Sequence, residues 1–230
     1  MSENSPLKTY GWQIAKAAIS FGVVVVYSRY LGASGRGQMS ILLLYLQVSL
    51  MFGELFAGSA MANWLVKYSP AQILPWVALF SLGVLGISGT VLHFIFHISW
   101  ALLIPLLVQG LSLAWLNIQY NIYQSQGWIG RRNKLQVALE GLKLLSLLFV
   151  ALLIPAQDVV SLNIQSMLEV LATVTFGILC FSMFKTKSMW KLAFPILLPP
   201  QGVFFEGIWA QLGHFMLFLV MKSPLWFIAY

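Results

Sequence analysis

Seven apolar stretches, at 10–30, 39–66, 73–96, 99–123, 135–155, 162–184 and 204–230, divide this chain. A helix rises ~1.5 Å per residue, so the ~17–25 residues of a tilted span match a ~30 Å hydrocarbon core. Only short polar links separate the stretches, which leaves no soluble domain between them. Charged residues make up 8% of the chain, where a soluble domain carries about 25%. The chain is therefore expected to be all-α, a polytopic bundle of membrane helices. Prolines at 75, 105 and 224 fall inside or near spans, where neighbouring helices can absorb the lost hydrogen bond. Gly83, Gly86 and Gly89 form a small-residue stripe suited to close helix contact.

The formal net charge is +7. In a soluble chain that excess would suggest nucleic acid, but here its placement gives another account, and no nucleic-acid partner is expected. With the N-terminus inside, the inner loops hold Lys8, Lys67, Arg131, Arg132, Lys134, Lys185, Lys187 and Lys191, and the outer loops only Arg29 and Arg36. The positive-inside bias thus favours a cytoplasmic N-terminus. That terminus is polar and lacks a small-residue cleavage pattern, so the first helix reads as a retained span. The lone Cys180 excludes a disulfide framework or a thiolate metal site. His93 and His97 lie four apart without a third ligand beside them, which favours interfacial histidines over a metal site.

Between Tyr27 and Lys67 the sequence first reads Y-S-R-Y-L-G-A-S-G-R-G-Q, a tight polar turn in which Gly32, Gly35 and Gly37 supply conformational freedom. The apolar run that follows is interrupted near its middle by Glu54 between Gly53 and Gly58. The pattern R-x-L-G-x-x-G-R-G followed by a broken helix resembles the oligosaccharide flippases of the multidrug/oligosaccharidyl-lipid/polysaccharide exporter superfamily. Arg29, Leu31, Gly32, Gly35, Arg36 and Gly37 match, and Ala33 stands where the family often has proline.

The resemblance implies a six-helix N-terminal lobe over 1–193, an interfacial linker at 194–203, and the first helix of a second, incomplete lobe at 204–230. It also implies a function: moving polyprenyl-pyrophosphate-linked oligosaccharide across the bacterial inner membrane by alternating access, for cell-surface polysaccharide such as O-antigen. Such a chain would be a truncated copy or a half-transporter, working with a second lobe or a second copy of itself. The partners implied are the lipid-linked oligosaccharide and membrane lipids.

An ionised side chain within a span costs about 2.5–3.5 kcal/mol on insertion scales, so each one present needs a partner or a wet cavity. In a flippase, cations would hold the pyrophosphate, and Lys16, Arg29, Arg36 and Lys143 are the candidates. Each has a plainer reading beside it. Lys16 can snorkel to the inner face, Arg29 and Arg36 can anchor the turn to lipid phosphates, and Lys143 can pair with Glu140 at i, i+3. Glu54 is the candidate to bind a coupling cation or proton, and no other cofactor is implied. Gln47, Asn63, Asn117, Gln119 and Tyr120 are candidate partners for sugar hydroxyls. Glu169 stands without a local partner in this reading.

The chain has no Gly-rich phosphate loop, H-E-x-x-H, G-x-S-x-G or paired-Cys motif, and no acidic cluster for Mg²⁺. An enzyme is therefore not expected. A multidrug exporter of the same superfamily, a membrane-embedded glycan polymerase or ligase, and a non-transporting scaffold remain as alternatives.

Overall fold

The computed structural model describes residues 6–53, 61, 64–65, 67–68, 70–153 and 160–185, with 209, 212 and 216 standing singly. Five helices and no strand are found among them: α1 Pro6–Gly53, α2 Pro70–Phe94, α3 Trp100–Ser125, α4 Ile129–Leu153 and α5 Val160–Lys185. Among the described residues four stretches are long and apolar enough to cross a membrane, namely Pro6–Met51, Trp100–Ser125, Ile129–Leu153 and Asn163–Met183. Leu79–Phe94 is a shorter apolar helix. The linker at 194–203 lies outside the described residues. Of 204–230, only Trp209, Leu212 and Met216 are described, each helical and exposed.

α1 has 48 residues, about 72 Å of helix if straight, which is more than twice a hydrocarbon core. It is broken at Gly32, whose φ of 67° and ψ of −172° lie outside the helical region. The tight turn expected over three glycines is thus a single-residue break, and Gly35 and Gly37 are helical. The chain folds back there. Val23, Tyr27 and Leu31 before the break share one buried cluster with Met39, Leu42 and Leu46 after it. Gly35 permits the close approach, because a Cβ on it would stand 2.9 Å from Leu31 Cβ and 3.1 Å from Val160 Cγ1.

Side-chain pairs fix the direction of each rod. Gln13 meets Asn133, Ser20 meets Glu140 and Gly22 meets Leu144, so the first arm of α1 runs parallel to α4. The second arm runs antiparallel to α2, with Tyr45 against Phe96 (ring centroids 5.1 Å apart) and Val48 and Ser49 sharing one groove with Phe80 and Val84 further back along α2. α3 runs parallel to α5, since Leu116 and Tyr120 pack on Ile178 and Leu179 while Gln119 bonds Ser182. Short connections at 95–99 and 126–128 join α2 to α3 and α3 to α4.

The core lies where these rods meet and is filled by Met39, Leu103, Leu106, Leu147, Ile164 and Met167. Outward faces carry Phe21, Leu145, Phe149 and Leu152, the last 81% exposed. A continuous apolar surface of this kind suits acyl chains and not water. Buried hydroxyls are satisfied by their own helix. Ser49, Ser112 and Thr175 donate to the carbonyls of Tyr45, Val108 and Leu171 at 2.8, 2.7 and 2.6 Å. Of the Gly83, Gly86 and Gly89 stripe, only Gly89 makes close contact. A Cβ there would lie 3.0 Å from Leu107, whereas the other two have nothing within 4 Å.

Candidate functional site

Polar residues recur at helical spacing along the facing sides of two helices. On the first arm of α1 they are Gln13, Lys16 and Ser20; on α4 they are Asn133, Gln136, Glu140 and Lys143. Both series step by three and four, so each lies along one helix face. Because the two helices run parallel, the stripes meet as a polar seam. Gln13 Nε2 donates to Asn133 Oδ1 at 3.5 Å. Ser20 Oγ donates to Glu140 Oε2 at 3.1 Å. Lys143 Nζ donates to Glu140 Oε1 at 3.0 Å, forming an ion pair on α4.

Glu140 is the hub of this seam. It links α1 to α4 through one oxygen and holds Lys143 through the other. Lys143 is 8% exposed and lies about 21 Å along α4 from Ile129, close to the middle of the span. Lys16 is half-buried and stands within electrostatic range of Glu140, Arg132 and Lys143. Lys143 is thus at ion-pair distance from Glu140, and Lys16 lies within electrostatic range of that pair and of Arg132. Arg132 is held by Gln124 Oε1, to which its Nη1 donates at 2.7 Å. Tyr120 of α3 reaches the same electrostatic neighbourhood from the side, and its buried hydroxyl has no hydrogen-bond partner.

A second polar series lies on α3 at Gln109, Ser112, Gln119 and Tyr123, all buried. Gln119 is 1% exposed. Its Nε2 donates to the Tyr123 hydroxyl at 3.1 Å and to the Ser182 carbonyl at 3.3 Å, while Ser182 Oγ donates to Gln119 Oε1. This ties α3 to α5 and makes Gln119 a cross-helix brace. The side-chain carbonyl of Gln109 is buried without a partner.

The residues singled out from sequence separate into distinct places. Lys16 and Lys143 come together around Glu140. Arg29 and Arg36 are exposed on either side of the Gly32 break. Arg29 lies about 20 Å along α1 from Lys16 and belongs to no common site with it. Gln47 is exposed, Asn117 is half-buried, and Gln119 and Tyr120 are buried. Glu54 and Asn63 lie outside the described residues.

Glu169, expected to stand alone, accepts a hydrogen bond from Gln165 Nε2 at 2.8 Å, one turn earlier on the same helix. His93 and His97 do not share a helix face, because His97 has left α2 with a φ of 53°. His93 Nδ1 lies 3.0 Å from the Ile98 carbonyl, and its ring stacks on Trp100 with centroids 4.5 Å apart. Among the described residues no three His, Cys, Asp or Glu side chains gather as metal ligands.

Sequence reasoning missed Gln13, Ser20, Asn133, Gln136 and Ser182. Their signal was the three-and-four spacing of neutral polar residues in otherwise apolar helices. The seam's chemistry suits an anion, with more positive than negative side chains among its charged groups and hydroxyl and amide donors beside them. In comparison with known proteins, the chain matches no family model, no curated protein and no solved structure.

Proposed function

We propose that this chain is a lobe of a lipid-linked oligosaccharide flippase in the bacterial inner membrane, with its N-terminus cytoplasmic. In this reading the two arms of α1 and helices α2 to α5 are six spans, and 204–230 opens a second lobe. The observation that carries the proposal is the polar seam between α1 and α4, where Lys143 pairs with Glu140 and Lys16 lies within electrostatic range of both and of Arg132. Each buried charge is costly in hydrocarbon, and an anionic pyrophosphate passing between the leaflets supplies the counter-charge that would offset it. Tyr120, whose buried hydroxyl has no hydrogen-bond partner, suits hydroxyl-rich sugar, and the acyl tail stays in lipid. Rocking of this lobe against a second lobe or a second copy would expose the seam to each face in turn.

The test uses vesicles containing the chain and a fluorescent polyprenyl-pyrophosphate oligosaccharide, with inner-leaflet label read by its protection from an impermeant quencher. Transbilayer exchange above that of protein-free vesicles is expected. Lys16→Gln should slow it about ten- to a hundredfold, as the loss of one charge-assisted contact of about 1.5–3 kcal/mol predicts. Exchange equal in Lys16→Gln and wild type would remove the seam from the transport path. Exchange no faster than in protein-free vesicles would set the transport reading aside.

A further inference from the structure

Among the described residues, three buried polar groups without a hydrogen-bond partner gather towards the start of α4: the Nε of Arg132, the Nδ2 of Asn133 and the hydroxyl of Tyr120. Asn133 is 2% exposed and Tyr120 7%. The Tyr30 hydroxyl and the Gln109 side-chain carbonyl, also without partners, belong to other stretches of α1 and α3. A buried donor left unpaired loses its hydration without return, so a group of them marks where an acceptor binds.

Neighbouring contacts set their levels in the bundle. Gln13 beside Asn133 and Ser20 beside Glu140 hold α1 and α4 in one register, so Lys16 stands level with Gln136, about 4.5 Å further along the span than Asn133. α3 runs antiparallel to α4, with Gln124 bonded to Arg132 and Tyr120 packed with Leu139. Tyr120 therefore lies about 6 Å further along than Arg132. Arg132 is within electrostatic range of both Lys16 and Tyr120. Glu140 is about 10 Å beyond Asn133 on α4 and already accepts from Ser20 and Lys143.

We propose that this end of the seam binds a glycosyl phosphate, the junction where sugar meets phosphate in a lipid-linked oligosaccharide. Phosphoryl oxygens accept from Arg132 Nε and Asn133 Nδ2, the Tyr120 hydroxyl bonds a hydroxyl of the adjoining sugar, and Lys16 adds charge from the facing helix. The donors select this chemistry. Neither orphaned nitrogen can accept, so both need an acceptor-rich group, whereas a tyrosine hydroxyl donates and accepts as a sugar hydroxyl does. Arg132 spends Nη1 on Gln124, which leaves Nε for the ligand. The inference rests on the flippase reading for the identity of the ligand and adds which part of it lies where.

The experiment titrates the purified full chain in detergent micelles with glucose 1-phosphate or inorganic phosphate and reads each dissociation constant from ³¹P line broadening. Glucose 1-phosphate should bind more tightly than phosphate. Tyr120→Phe should weaken glucose 1-phosphate about ten- to a hundredfold and leave phosphate unchanged, as one hydrogen bond to the sugar at a buried group predicts. Because that hydroxyl has no partner in the protein, the same variant should unfold at the wild-type temperature or above it. Arg132→Lys keeps the charge but lacks Nε, and should weaken both ligands about tenfold.

A lower unfolding temperature for ligand-free Tyr120→Phe would overturn the proposal, since the hydroxyl would then already serve the fold. Wild-type binding of both ligands by Arg132→Lys, or no binding of either by wild type, would overturn it too. Sugar-phosphate binding in a chain that moves no lipid between leaflets would sustain this site and set aside transport alone.

Discussion

Lys143→Met is expected to lower the stability of the bundle by about 3–5 kcal/mol, the usual penalty for stripping one partner from a buried ion pair. Lys143 is 8% exposed, and Glu140 is its partner at 3.0 Å. Without the ammonium, Glu140 keeps only the Ser20 hydroxyl as a direct donor, in a setting that does not solvate a carboxylate. Changing both residues, as Glu140→Gln with Lys143→Met, should recover most of the loss. The glutamine still accepts from Ser20, and the methionine fills the space of the lysine stem. Reversible unfolding of the purified protein in mixed detergent micelles measures both changes. A single variant as stable as wild type would mean that Glu140 finds another cation, and Lys16 is the one placed to serve.

Gly32→Ala should be the next most damaging change, at about 1–3 kcal/mol. Its φ of 67° with an extended ψ belongs to a region that is essentially closed to residues bearing a Cβ. Nothing stands within 4 Å of the Cβ that alanine would add, so the penalty comes from the backbone alone. Relief of that strain would reopen the fold-back that sets one arm of α1 on α4 and the other on α2. Gly37→Ala is the control with opposite sign. Gly37 is helical, exposed and uncrowded, so alanine there should stabilise by up to about 1 kcal/mol. Equal effects at the two positions, read in the same unfolding assay, would mean that the break does not depend on the φ of Gly32.

Much of this architecture is legible in the sequence because the bilayer sets helix length. The stretches at 73–96, 99–123, 135–155 and 162–184 agree with α2 to α5 to within a few residues at most ends. α4 starts six residues earlier than its apolar stretch, since its first turns carry the basic residues Arg131, Arg132 and Lys134. Less legible was the turn near Gly32. Three glycines there invite a loop, yet backbone hydrogen bonding in an apolar setting favours helix up to the single residue that must break. The charged members of the seam were legible in the sequence as Lys16, Lys143 and their neighbour Glu140, but the neutral residues that join the two helices were not among the polar candidates. That joining is done by neutral donors, Gln13 and Ser20, and it appears only once the parallel alignment of α1 and α4 is known. Arg29 and Arg36 carry the family resemblance, but they are exposed, which leaves the plainer role of anchoring the turn as the one their position suits.

The central claim is that charges kept within the span serve an anion and not the fold alone. The transport rate of the Glu140→Gln, Lys143→Met double variant tests it most directly, because that variant should be close to wild type in stability while the seam has lost its central ion pair. The account predicts a folded protein whose exchange of labelled polyprenyl-pyrophosphate oligosaccharide slows about ten- to a hundredfold, because Lys143 is lost as a charge-assisted contact to the anion while Lys16 remains. Exchange at the wild-type rate from the same folded variant would contradict it.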